Sequence, residues 1–134
     1  MTVAVGFDGS PGGWAALRWV FGPGRALADS VTVVHAVGLL EHAGHDPVSG
    51  WREEVERLAR SGSGGPVPVT WHVEDGDPCS VLLRSAGPPV GAGLIVVGTR
   101  GHGGHTGLLL GSTSLELAER SPVPVVVVPP ASNG

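Results

Sequence analysis

Residues Val31 to Val37 read VTVVHAV, nearly all β-branched or small, with no alternation of polar and apolar positions. A strand with one wet face alternates with a period of two, so this run is expected to be covered on both faces, as in the middle of a parallel sheet flanked by helices. Parallel neighbours cannot be joined by a hairpin, and each pair needs a crossover of about a dozen residues or more, usually a helix. A chain built around such a strand therefore has to alternate strand with helix. His35, inside this apolar run, reads as a packed core residue.

The remaining segments supply that alternation. Thr2 to Phe7 is a short apolar run ending at Asp8-Gly9-Ser10, and Ser10 before Pro11 is a cap with proline in the first turn. Trp14, Leu17, Val20 and Phe21 recur at helical spacing until Gly22-Pro23-Gly24, where the proline stops the helix, with Arg25 to Ala28 resuming it. Beyond the polar loop Glu41 to Gly50, a second helix carries Trp51, Val55, Leu58 and Ala59 on one stripe and ends at Ser61 to Gly65. Val67, Val69, Trp71 and Val73 alternate with Pro68, Thr70, His72 and Glu74, which marks a third strand at an edge of the sheet. Asp77-Pro78 opens a short third helix through Val81, Leu82 and Ala86, closed by Gly87-Pro88-Pro89. Leu94 to Val97 is the fourth strand, Thr113-Ser114-Leu115-Glu116 forms a capping box that starts a last helix to about Arg120, and Val123 to Val128 is the fifth strand. The expected fold is an α/β open five-stranded parallel sheet flanked by four helices, with its ligand beyond the carboxyl ends of the strands where strand order reverses.

A length of 134 residues suits a single domain over 1–134. The 23 glycines and 12 prolines make up about a quarter of the chain, a share that would suggest disorder. A hydrophobic content of 41% and a mean hydropathy of +0.21 argue instead for a packed core punctuated by turns. There is no basic leader and no apolar stretch long enough to span a bilayer, so we expect a cytoplasmic protein with no membrane partner. A net charge of −4 without a basic block disfavours nucleic acid. Cys79 is the only cysteine, which leaves no intrachain disulfide or thiolate zinc cluster and points to a buried thiol.

All eight basic residues are arginines, and the absence of lysine removes whole classes of chemistry. A Walker A loop, a Schiff-base site and a receiver-type phosphoacceptor site each depend on a lysine. Gly6-Phe7-Asp8-Gly9 lacks the dinucleotide G-x-G-x-x-G spacing, and no G-x-S-x-G elbow occurs, which disfavours a nicotinamide dehydrogenase and an α/β-hydrolase.

After the fourth strand the chain reads Gly98-Thr99-Arg100-Gly101, then nine residues, then Gly111-Ser112-Thr113 at a helix start. Glycine allows close backbone approach, and a helix N-terminus offers unpaired N–H groups with a partial positive charge. Main-chain donors at Gly111 to Ser114, the hydroxyls of Ser112 and Thr113, and the nearby charge of Arg100 make an anion site that needs no lysine. The bland alternative is that the glycines permit a tight turn and that Ser112 or Thr113 merely caps a helix. Asp8 has a comparable alternative as a cap. His102 and His105 form an H-x-x-H pair, echoed by His42 and His45. A transition metal is conceivable there, but loop histidines without a fixed carboxylate are more often plain polar residues.

The pattern Gly98-x2-Gly101-x9-Gly111-Ser112, followed by Ser121-Pro122-Val123-Pro124-Val125-Val126-Val127-Val128, resembles the ATP-binding branch of the universal stress protein family. Val5-Gly6-Phe7-Asp8-Gly9-Ser10 is similar to that family's first strand and turn, Val34-His35-Ala36-Val37 to its second strand, and Gly76-Asp77-Pro78 to the start of its third helix. The resemblance implies strand order 3-2-1-4-5, an adenine nucleotide α-hydrolase-like sheet, with ATP across the switch between strands one and four. It further implies that Asp8 and the backbone near Gly6 and Ala36 meet adenine or ribose. Gly98, Gly101, Gly111, Ser112 and Thr113 would hold ribose and phosphates, and any Mg²⁺ would be held by phosphates, water and at most one carboxylate. It also implies a homodimer through the fifth strand, whose four valines would leave an apolar edge unless the chain's own last helix and the Pro129-Pro130 tail cover it. Three functions follow as expectations: a nucleotide-binding regulatory protein of the stress response, a slow ATPase or an enzyme phosphorylating itself on Ser112 or Thr113, and a nucleotide-free dimeric interaction module.

Overall fold

The computed structural model describes residues 1–37, 48–62, 64–99 and 111–130. Within them the chain runs β1 (Thr2–Gly6), α1 (Pro11–Phe21), β2 (Ser30–Val37), α2 (Arg52–Ser61), β3 (Val69–Asp75), α3 (Pro78–Arg84), β4 (Leu94–Gly98), α4 (Ser112–Arg120) and β5 (Val125–Val128). The five strands form one parallel sheet in the order β3-β2-β1-β4-β5. That is the architecture and the order expected.

With that order, handedness decides which face each helix covers. Right-handed crossovers carry the chain from β1 through β2 to β3 over one face, then back past β1 to β4 and β5 over the other. Two cores result. Against α1 and α2 lie Val3, Val5, Phe7, Leu17, Val20, Phe21, Val31, Val33, Val55 and Val96. Against α3 and α4 lie Ala4, Val34, Cys79, Val81, Leu82, Ile95, Val97 and Leu117. The central run of β2 is buried from Val31 to His35, which explains its lack of alternation. Cys79 is buried, and burial pushes its thiol above the ordinary range, so it is a core filler and not a nucleophile.

Several boundaries differ from the sequence reading, each for a local reason. The first helix stops at Phe21, and Arg25–Leu27 forms a single 3-10 turn instead of resuming it. Both outer strands start two residues late, because the prolines just ahead of them, Pro68 and Pro124, cannot donate to a ladder. Their carbonyls still accept the N–H groups of Val31 and Ile95, at 2.9 and 3.0 Å. The capping box at Thr113 does not form: Gly111 is the cap residue, Ser112 already lies in the helix, and Glu116 pairs with Arg120. Along β5, Val125 to Val127 are half-buried, with α1 and α4 packed against the strand.

Candidate functional site

The site begins where two strands part. β1 stays with β2 to its last residue, Gly6 opposite Val34, and the Phe7 N–H continues the ladder to the Val34 carbonyl at 3.0 Å. Its register with β4 ends earlier, at Val5 opposite Val96, while β4 goes on pairing with β5 through Gly98 opposite Val128. A mouth therefore opens between the ends of β1 and β4, at the point where the crossovers leave in opposite directions.

The turn after β1 forms one wall. The Ser10 N–H donates to Asp8 Oδ1 at 3.0 Å, and Ser10 Oγ accepts the Gly13 N–H at 3.2 Å. Ser10 thus caps α1, and Asp8, half-buried, shapes the turn ahead of the cap. Ala36 lies at the end of β2 opposite Glu74, on the α3 side of the sheet. Gly6 and Gly98 end their strands against other parts of the protein: a Cβ on Gly6 would lie 2.9 Å from Leu82 Cδ1, and one on Gly98 would lie 2.5 Å from the Gly12 carbonyl oxygen.

The start of α4 forms the opposite wall. The Gly111 N–H is engaged by the Thr99 carbonyl, so this amide, expected among the anion donors, is occupied internally. The sequence reading gave Ser114 a main-chain donor but assigned its hydroxyl nothing. Its buried hydroxyl donates to the Gly98 carbonyl at 2.7 Å and reaches the Thr99 carbonyl at 3.2 Å, pinning the helix start to the end of β4. No motif marks such a role, because it joins a strand end to a helix across the loop. Ser112 is exposed and Thr113 half-buried. Among the described residues no side chain caps the first turn, and no acidic residue stands in it. By contrast α1 and α3 are capped by Ser10 and by Asp77, whose carboxyl the Ser80 backbone N–H holds below its ordinary 3.8. Among the described residues, then, the positive end of α4 meets no capping side chain and no carboxylate. Arg100, Gly101, His42, His45, His102 and His105 lie outside the described residues.

Behind the mouth, Phe7 is ringed edge-on by Trp14 at 4.8 Å, Trp51 at 5.0 Å and Trp71 at 6.4 Å. His35 joins them: its Nδ1 is 2.9 Å from the Phe7 carbonyl oxygen and its ring is edge-on to Trp51 at 5.2 Å. The sequence reading placed Trp51 only on a helix stripe. Four of the six aromatic residues are tryptophan, but nothing in that composition singles out Trp51. Among the described residues no group of three or more His, Cys, Asp or Glu side chains could hold a metal ion, and no helix is long and apolar enough to cross a membrane.

An open parallel sheet in the order β3-β2-β1-β4-β5, with helices on both faces and a switch point between β1 and β4, defines the class of doubly wound α/β folds. The universal stress protein family model matches residues 1–129, and the chain belongs to that family. It is 34% identical over 142 aligned residues to a universal stress protein of Mycolicibacterium smegmatis, covering 97% of this chain and 46% of the relative, so it spans about half the length of that protein. Among solved structures it is similar to a universal stress protein in complex with cAMP, at 28% identity and a TM-score of 0.69, covering 98% of both chains. It also shares the fold of an Arabidopsis thaliana universal stress protein family member with AMP bound, at 16% identity and a TM-score of 0.63, covering 99% of this chain and 94% of that one.

Proposed function

We propose that this chain binds an adenine nucleotide, ATP in the first place, at the mouth between β1 and β4, and that occupancy regulates the protein in the stress response. The observation that carries the reading is the start of α4, which no described side chain caps, beside the parted ends of β1 and β4. Phosphate oxygens suit the first-turn N–H groups of Ser112, Thr113 and Ser114 and the hydroxyls of Ser112 and Thr113, where a positive helix end takes the place of the missing lysine. With the Gly111 amide engaged, Gly111 contributes close approach and not a donor. Gly98 ends β4 at the mouth, and Arg100 and Gly101, which lie outside the described residues, are assigned to the same ligand set. Asp8 and the backbone at Gly6 and Ala36 take the ribose and base. Bound cAMP and AMP in two similar proteins support the ligand class.

Any Mg²⁺ entering with ATP is held by phosphate oxygens, water and at most one carboxylate. Regulation requires no turnover, and a nucleophile with its general base and orienting partner is not assembled among the described residues. The half-buried valines of β5 suit a homodimer through that edge, and adenine nucleotide as ligand suits the cytoplasm.

Heating the protein with and without ATP tests the reading. Binding to the folded state at a hundred times Kd should add about 2.7 kcal/mol and raise the melting temperature accordingly. A melting temperature unmoved by millimolar ATP, ADP and AMP alike would remove the proposal.

A further inference from the structure

The geometry points to Trp51 as the positioning residue of this site, holding the Asp8 turn in its binding shape. Gly9, directly after Asp8, has φ +78, in the left-handed region that disfavours side chains. Where its Cβ would be, the indole of Trp51 intrudes: Cζ2, Cε2 and Nε1 lie 2.5, 2.9 and 3.1 Å from that point. The same indole meets Phe7 on the other side of Asp8 and His35 just ahead of Ala36, and His35 in turn reaches the Phe7 carbonyl. One rigid ring therefore touches chain neighbours of all three residues assigned to base and ribose, Gly6, Asp8 and Ala36.

Trp51 is itself held fast. Its N–H donates to the Val48 carbonyl and its carbonyl accepts the Val55 N–H, both at 3.0 Å, and the Val48 and Val55 side chains are fully buried. The backbone is thus anchored at the start of α2, and the indole itself is packed edge-on against Phe7 and His35. Gly9 is otherwise the freest point of the turn, and a turn that must be ordered on binding subtracts that ordering from the affinity. With the indole seated over Gly9, the turn and its Ser10-to-Asp8 hydrogen bond are set before ligand arrives. The inference rests on the reading that Asp8 and Ala36 face the nucleotide. It adds that a residue touching neither ligand nor phosphate controls affinity.

The test titrates ATP into the whole chain by calorimetry for the native protein and for Trp51→Phe, Trp51→Leu and Trp51→Ala, with hydrogen exchange of the Ser10 amide followed in parallel. The Leu and Ala variants should bind ATP about tenfold more weakly, and their Ser10 amide should exchange about tenfold faster, as expected for a turn that loses its preorganisation. The Phe variant keeps a flat ring over Gly9 and should stay within about threefold on both counts. Should Ala fail to fold, Leu retains core volume without the planar cover and gives the same comparison. A folded Leu variant with native affinity, or an affinity loss that merely follows the fraction unfolded, overturns the inference. If the native protein binds neither ATP nor AMP, it is the nucleotide reading that falls, and Ser10 exchange still decides whether Trp51 sets the turn.

Discussion

Gly6 and Gly98 end strands on either side of the same mouth, yet they look toward opposite faces of the sheet and meet different materials. Beyond Gly98 lies the backbone of α1, with the Gly12 oxygen, carbonyl carbon and α-carbon all 2.5–2.7 Å from where a side chain would begin. Beyond Gly6 lie the tips of Leu82 and Val97, at 2.9 and 3.1 Å. The faces differ as their glycines do. All six aromatic residues pack on the α1 and α2 side, while the α3 and α4 side is built from Ala, Val, Leu, Ile and one Cys. Flat rings locked edge to edge, over a helix whose backbone touches the sheet, make a stiff wall. Short aliphatic side chains can change rotamer. The mouth is thus stiff on its α1 and α2 side and more yielding on its α3 and α4 side.

Gly98→Ala should break this contrast most severely. Backbone cannot turn aside as a side chain can, so α1 must shift bodily, and we expect a loss of about 3 kcal/mol, read as a lower urea midpoint. A midpoint unchanged from the native protein would mean that α1 is not seated against β4. Gly6→Ala adds the same methyl against movable tips and should cost about 1 kcal/mol. Combining it with Leu82→Ala sharpens the comparison, since the smaller neighbour should absorb the new methyl and leave the double variant more stable than the sum of the single changes. Strict additivity would show that Leu82 is not what Gly6 accommodates.

How much of this was legible in the sequence depends on how far apart the partners stand. The central placing of β2 could be read from its own seven residues, and the edge position of β3 from Pro68 and the alternation around Trp71. The helix starts at Ser10 and Asp77 were legible because a cap and its target amide lie three residues apart. The start of α4 was misread because Thr113 and Glu116 have capping-box spacing, whereas the partner of Glu116 is Arg120, one turn further on. Ser114 and Trp51 were out of reach for another reason: their partners, Gly98 and Gly9, become neighbours only when the sheet forms. The glycine spacing showed where backbone approaches closely, and for Gly98 what approaches is α1.

The faintest difference between the faces lies at the β3 edge. On the aromatic face Trp71 is covered by the Arg52 guanidinium at 5.3 Å. On the aliphatic face the apolar floor gives way to Glu74, which accepts from His72 Nε2 at 2.9 Å and from Arg84 Nε at 2.6 Å. The hydrogen bond from His72, followed by that from Arg84, holds the Glu74 carboxyl below its ordinary 4.5. A depressed folded-state pKa stabilises the fold above pH 4.5, and that contribution is lost as pH falls from there through the lowered value. Glu74 keeps about a third of its surface exposed, so solvent screening limits the contribution to less than about 1 kcal/mol. Urea midpoints measured between pH 7 and pH 3 should therefore fall slightly more steeply for the native protein than for Glu74→Gln, whose neutral amide does not titrate. Parallel curves would show that the cation at this edge merely lies beside Glu74, and that the two faces end alike.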